Sequence, residues 1–320
     1  MSNKPKHMTS IGGQAVLEGI MMKGPSKSAI AVRKPDGEVE VKITDNNSLV
    51  SKLKLNKIPI VRGVVAFIDS LITGVGATMY SAEFIDLEEE GENKSKFDIW
   101  IEKHMGKYML DVIMWISVVF ALILGIGLFM LLPTIITGFI KGIFKSFSVI
   151  QGRVFTHFLE SAIRIIIFLI YMALVGKMKD MQRVFMYHGA EHKTIACYEA
   201  GEELTPENAM RHSRFHPRCG TSFLLIVMVV SIFVYAFLPW SESVLIRVLY
   251  RLAFLPVVAG LAYEIIKFAG RSKNKCVALL TKPGLYLQKL TTREPDLSQL
   301  EVAIISLKAV LPTDNEDDKW

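Results

Sequence analysis

The sequence predicts an α-helical polytopic membrane protein, with about four transmembrane helices plus an interfacial or re-entrant helix, a small N-terminal β-rich piece and a helical C-terminal tail. Three observations predict it. Hydrophobic residues make up 51% of the 320 positions and mean hydropathy is +0.36, more apolar surface than a soluble core of this size needs. Residues 112–140 contain no charged side chain, which is long enough to cross a bilayer with tilt. Near the N-terminus the pattern changes to strict alternation: Val39, Val41 and Ile43 fall on one face, Glu38, Glu40 and Lys42 on the other, the period of a strand.

Taken in order, residues 1–59 form the β-rich cytoplasmic region. Residues 1–9 are polar and lysine-bearing with no apolar run behind them, so no secretory signal peptide is expected. The stretch 11–22 carries glycines at both ends, where chain reversals are cheap. Strands are expected at 28–33 and 38–44, joined by Lys34-Pro35-Asp36-Gly37, in which proline fixes one φ angle and glycine supplies the positive one.

Residues 60–107 comprise an interfacial or re-entrant helix and a charged linker. The apolar run 60–85 is interrupted by Arg62, Asp69 and Glu83, and Asp69 needs a partner if the helix enters the membrane. The linker 86–107 has an acidic run at Glu88-Glu89-Glu90 and reads as solvated. Residues 108–268 then hold four spans, at 112–140, 158–176, 220–239 and 245–268. In the second, Glu160 and Arg164 lie four apart and can pair on one face. In the fourth, Arg247 and Arg251 sit near one end, where long basic side chains reach the headgroups. Few other charges lie in the spans and no inverted repeat is visible, which argues against a transporter.

Loop charge sets the expected topology. Lys177, Lys179, Arg183, Lys193, Arg211, Arg214 and Arg218 precede the third span, and residues 240–243 after it carry no Lys or Arg. The positive-inside rule therefore puts both termini and the loop 177–220 in the cytoplasm of a multi-pass plasma-membrane protein, leaving Lys141, Lys145 and Arg153 outside. The net charge of +6 belongs to such loops and to anionic lipid, and no nucleic-acid partner follows from it. Three cysteines, Cys197, Cys219 and Cys276, cannot all pair within one chain, which suits a reducing compartment. Cys276 reads as a small buried residue or lone thiol. In the tail, 269–320, residues 278–284 suggest a strand or short helix ending in a turn at Lys282-Pro283-Gly284. A helix over 297–311, capped by Asp296 or Ser298, carries an apolar stripe of Leu300, Ala303, Ile304, Leu307 and Leu311.

The chemistry concentrates between Tyr187 and Cys219, which hold four of the seven histidines and two of the three cysteines. His188-Gly189-Ala190-Glu191-His192 is an H-x-x-E-H string. On a helix over 180–201 its histidines share a face and can reach one zinc ion, with Glu191 placed as general base for a metal-bound water. His212 and His216 are again four apart, and Cys219 follows. His216 or Cys219 can complete a metal shell. Glu199 lies seven residues beyond His192, about 10 Å along the axis, too far for the same ion. Glu18 and Glu83 are carboxylates in apolar surroundings, readable as further site residues or as ion-pair partners of Arg62 or Arg218. Three readings stay open: a polar pocket without metal, a closed structural site of His188, His192, His216 and Cys219, or a catalytic metal centre. His7, His104 and His157 have no evident companions.

The chain resembles the YqhQ family of bacterial membrane proteins. The strings that carry the resemblance are Gly12-Gly13-Gln14-Ala15-Val16-Leu17-Glu18-Gly19-Ile20-Met21-Met22, Val61-Arg62-Gly63-Val64-Val65, Tyr80-Ser81-Ala82-Glu83, Tyr187-His188-Gly189-Ala190-Glu191-His192-Lys193, His216-Pro217-Arg218-Cys219-Gly220-Thr221-Ser222-Phe223, Pro283-Gly284-Leu285-Tyr286-Leu287-Gln288 and Leu290-Thr291-Thr292-Arg293-Glu294-Pro295. The resemblance implies a polytopic membrane protein of unknown function, described as a metal-dependent enzyme, and draws attention to Gln14, Glu18, Arg62, Glu83, Arg218 and Arg293. Two functions are expected on this basis. The first is a membrane-embedded hydrolase using zinc or another divalent transition metal, a metallopeptidase being its most natural form, with Glu191 catalytic and His188, His192, His216 and Cys219 as candidate ligands. The second is a non-enzymatic membrane scaffold, an assembly or insertion partner of other membrane proteins, with a structural metal or a polar pocket.

Overall fold

A computed structural model describes residues 7–46, 58–84, 112–113, 115–147, 152–239, 241, 243–271, 275–312 and 318. The acidic linker expected at 86–107, with His104, lies outside the described residues. The N-terminal piece is a four-stranded antiparallel meander of β1 (Gly12–Val16), β2 (Gly19–Lys23), β3 (Lys27–Arg33) and β4 (Val39–Asp45). The β3–β4 hairpin forms as expected around Gly37, whose φ is 88°. Strands β1 and β2 replace the glycine-marked reversals expected at 11–22: the chain instead turns at Leu17–Glu18, with Val16 opposite Gly19 and Glu18 held at φ 48°.

Strands β2 and β3 are apolar on both faces, which explains why they lack alternation. One face carries Ile20, Met22, Ala29 and Ala31, packed with Tyr187, Leu300, Ala303 and Leu307. The other carries Val16, Met21, Ile30 and Val32, packed with Ala77, Tyr80 and Phe84. These partners come from α1 (Val61–Ala82) with Phe84 just past its end, α4 (Lys179–Ala200) and α9 (Leu297–Lys308). Helix α9 opens on a capping box, the Asp296 carboxylate accepting from Gln299 N and the Gln299 side chain accepting from Asp296 N.

Among the described residues, four helices are long and apolar enough to cross a membrane: α1, α2 (Trp115–Ile143), α3 (Arg153–Val175) and α7 (Val244–Arg271). The seventeen-residue α6 (Gly220–Ala236), taken as the third span from sequence, is apolar but shorter. The short helix α5 (Pro206–Met210) lies between α4 and α6. Helix α1 packs its first turn on α7, where Arg62 grips Glu264 and Gly63 meets Gly260 and Tyr263. From Asp69 onward it lies along the sheet: Lys23 pairs with Asp69, Gln14 Nε2 donates to the Gly74 carbonyl, and Tyr80 and Phe84 cover β2 and β3. Asp69 thus has the partner that its position requires.

Three tail and span expectations need correction. Residues 278–284 form no strand or turn, because α8 (Lys275–Thr291) runs through Pro283 and Gly284. Its glycine is used for contact: a Cβ at Gly284 would press on Ser222 of α6. Within the spans, Glu160 pairs with Arg251 of α7 rather than with Arg164. Arg251 and Arg247 are buried and do not reach for headgroups. Arg164 turns to α2 instead, its Nε donating to the Phe129 carbonyl at 2.9 Å. That carbonyl lies four residues before Pro133, which has no N–H to offer it, within a π-helical stretch at Gly127–Leu131.

Candidate metal centre

Helix α4 supplies both histidines of the H-x-x-E-H string, and their rings meet edge-on with centroids 4.5 Å apart. Each Nδ1 faces a backbone carbonyl: His188 bonds the Thr291 oxygen at 2.8 Å and His192 the Arg214 oxygen at 2.6 Å. A carbonyl only accepts, so each Nδ1 carries the proton and each Nε2 keeps a lone pair. His188 Nε2 lies 3.1 Å from Cys219 Sγ. His192 Nε2 is buried without a hydrogen-bond partner. Burial pushes the His192 imidazole below its usual range, against the nearby Cys219 thiol, which favours the charged form.

One ligand atom each from His188, His192 and Cys219 lies within 4.8 Å of the others. A tetrahedral zinc with bonds of about 2.0–2.3 Å sets its ligands about 3.4–3.8 Å apart. These three residues could hold such an ion with their spacing closing by at most about 1.4 Å, and three protein ligands would leave a fourth position for water. The carbonyls on Nδ1 are the outer contacts that metal-ligating histidines need to fix their orientation.

Cys219 arrives as the N-cap of α6, its sulfur accepting from Thr221 N at 3.4 Å. The turn before it is held by Gln288 of α8, which accepts from His216 N at 2.9 Å and donates to His216 O at 2.7 Å and Ser222 Oγ at 3.1 Å. His216 lies beside the triad, its ring 5.7 Å from that of His192. Its Nε2 faces Glu199 at 3.5 Å and Arg218 at 3.4 Å. Glu199 and Arg218 form a buried ion pair, and Thr9 N also donates to Glu199. Burial alone would raise the Glu199 carboxyl, but His216, Arg218 and Thr9 hold it below the usual range.

Glu191 is buried beneath β1 and accepts from Gly13 N at 2.9 Å. Burial raises its carboxyl above the usual range, opposed by His188 and by the Gly13 N–H. Gly13 permits this approach, since a Cβ there would crowd the Met21 carbonyl and the Glu191 carboxyl together. Gly189 plays the same part on the opposite side: a methyl there would run into the Arg293 carbonyl, next to the strand of chain that orients His188.

The remaining candidates are spread around this centre. Glu18 is held by Arg183, both nitrogens of the fork reaching its carboxylate, and accepts from Tyr187 Oη at 3.2 Å. Glu83 is exposed at the end of α1. Neither pairs as the sequence suggested, because Arg62 is taken by Glu264 and Arg218 by Glu199. Arg293 donates to the Gly176 carbonyl. His7, read as companionless, bonds Asp318 at 3.1 Å and packs edge-on to Tyr198. Sequence reasoning missed the orienting carbonyls of Thr291 and Arg214, which any residue type can supply, and the anchoring role of Gln288, whose only signal was its place in a distinctive string.

The family described as a protein of unknown function (DUF1385) matches residues 58–313. The uncharacterized protein YqhQ of Bacillus subtilis (strain 168) is 34% identical over 316 residues, covering 97% of this chain and 94% of its own length. No solved structure matches the chain.

Proposed function

Since the chain belongs to the DUF1385 family, whose description gives no activity, its chemistry must be read from its own side chains, and we propose that it is a membrane-embedded, metal-dependent hydrolase. His188, His192 and Cys219 bind a zinc-type transition metal, and Glu191 serves the water at the fourth position. When bound, the ion supplies a hydroxide near neutral pH and polarises the scissile carbonyl. The chain's own part is to fix the two imidazoles through the Thr291 and Arg214 carbonyls, to hold Cys219 through the Gln288 clamp and to keep Glu191 shielded under β1. The observation that carries the reading is the buried, unpartnered Nε2 of His192, turned into a cluster with a second imidazole and a thiol. A buried acceptor left alone costs about 1–3 kcal/mol, and an ion is the partner this donor set selects. Loop charge supports a centre at the cytoplasmic face, and amide hydrolysis of a membrane-associated peptide is the reaction class that the motif suggests.

The scaffold reading would use the same cluster as a closed structural site with His216 as fourth ligand. The turn of His216 Nε2 toward Glu199 and Arg218 favours the open arrangement.

The test is metal content of detergent-purified protein. About one equivalent lost on His188→Ala or His192→Ala, with the folded elution profile kept, is expected. The Glu191→Gln variant is expected to retain metal and lose turnover on a peptide substrate found by screening. Unchanged metal content in both histidine variants would overturn the centre, and full turnover by Glu191→Gln would overturn the role of Glu191.

A further inference from the structure

A second group of metal-competent side chains lies on the far turn of α4 and shares no residue with the first. Cys197, Glu202 and His212 each bring a ligand atom within 4.8 Å of the others. His212 Nε2 stands 3.2 Å from a Glu202 oxygen, and Cys197 is fully buried beside them.

Each of the three is placed by bonds that do not involve the other two side chains. Helix α4 ends in Gly201 at φ 67°, and the Glu202 N–H returns to the Cys197 carbonyl, so the chain folds Glu202 back over the thiol. Thr205 Oγ1 caps α5 by accepting from Asn208 N, and Asn208 Nδ2 donates to the Glu203 carbonyl. His212 N bonds the Ala209 carbonyl. From α4, Lys193 Nζ reaches across to the carbonyls of Met210 and His212, at 2.9 and 2.8 Å. The segment 201–212 is thereby drawn against α4 with its imidazole and carboxylate already beside the thiol.

The donor set decides the ligand. A thiolate, an imidazole and a carboxylate suit a borderline-soft transition ion, zinc first, whereas magnesium and calcium take oxygen ligands. We propose that Cys197, Glu202 and His212 bind a second zinc-type ion, which fastens the 201–212 segment to α4. Binding converts the thiol to thiolate, and its proton passes to solvent. The fastened segment runs on to Arg214, whose carbonyl orients His192, and to Cys219, so this ion steadies the first centre from behind. Without a metal His212 and Glu202 are a hydrogen-bonded pair beside a thiol that donates to the Glu203 carbonyl, and the two arrangements differ in whether Cys197 is a ligand.

The experiment uses the full chain in detergent, loaded with zinc and freed of excess, with metal counted per chain. The parent is expected to hold two equivalents. Cys197→Ser and His212→Gln are each expected to hold one, as is His188→Ala, through loss of the other ion. With cobalt in place of zinc, the double variant His188→Ala/Cys219→Ser is expected to keep a thiolate-to-metal absorption band that adding Cys197→Ser removes. His212→Gln, conservative in shape, decides the matter if Cys197→Ser does not fold. Metal content equal to the parent in both Cys197→Ser and His212→Gln overturns the second site and leaves the first standing. Loss in those two with none in His188→Ala overturns the first centre and leaves the second.

Discussion

Replacing Arg251 by methionine tests the polar joint between the spans. Arg251 and Glu160 are only 3% and 1% exposed, and Arg251 grips both oxygens of the Glu160 carboxylate, with Nη2 to Oε2 at 2.5 Å. Thr134 Oγ1 of α2 donates to the same carboxylate, so three helices meet on one charge. Position 251 is seven residues past the start of α7, about 10 Å along the axis, and its guanidinium is spent on this pair. Arg251→Met strands the carboxylate, and breaking a buried pair from one side costs about 3–5 kcal/mol. Removing both partners as Arg251→Met/Glu160→Met leaves no stranded carboxylate and is expected to cost about 1 kcal/mol or less, a coupling of several kcal/mol between the two sites. The assay is reversible unfolding in mixed micelles by increasing SDS, followed by circular dichroism and tryptophan fluorescence. A single substitution within about 0.5 kcal/mol of the parent, as for a surface site, would refute the reasoning. So would a double variant whose loss equals the sum of the two single losses.

Two further perturbations address the walls of the candidate centre and the soluble layer. Gly189→Ala forces a methyl toward the Arg293 carbonyl and is expected to destabilise by about 1–3 kcal/mol and to reduce metal occupancy, while Gly76→Ala, with open space at its Cβ, is expected to be neutral or stabilising by up to about 1 kcal/mol; equal effects from both would remove the case for a close approach at Gly189. Asp296→Ala removes the α9 cap and is expected to cost about 1 kcal/mol near neutral pH. Burial works against the Asp296 charge, but hydrogen bonds from Ser298 and Gln299, together with Arg183, hold its carboxyl below the usual range. The contribution is therefore complete above the unfolded carboxyl's pKa of about 3.9 and fades as pH falls through the lower folded value. A parent–variant difference that grows on acidification would contradict that sign.

What could be read in advance was local. The β3–β4 hairpin rests on Pro35 and Gly37 and on alternation within β4, and the α9 start rests on Asp296 and Gln299; both sets lie within a few residues of each other. Strands β1 and β2 were missed because their face partners, Tyr187, Leu300 and Leu307 on one side and Ala77 and Tyr80 on the other, come from far along the chain. With both faces buried, β2 loses the alternation that would announce it, and β1, five residues opening on two exposed glycines, is too short to show one. The Glu160 error has the same origin. Spacing of four offers Arg164, but in the bundle Arg251 stands closer, and Arg164 is drawn off by the Phe129 carbonyl that Pro133 leaves short of a donor.

The candidate centre divides along the same line. Spacing alone puts His188 and His192 on one face, and the rings are together. Spacing could not choose between His216 and Cys219 as their companion, since both follow in one short turn. The choice is made by Gln288, 72 residues beyond His216, which fixes the backbone of His216 on both its N–H and its carbonyl. Held there, the His216 ring meets the Glu199–Arg218 pair, and Cys219, capping α6, is the group left to face His188. A residue that touches neither histidine thus decides the composition of the cluster, which is why the donor types were legible in the sequence and the donor set was not.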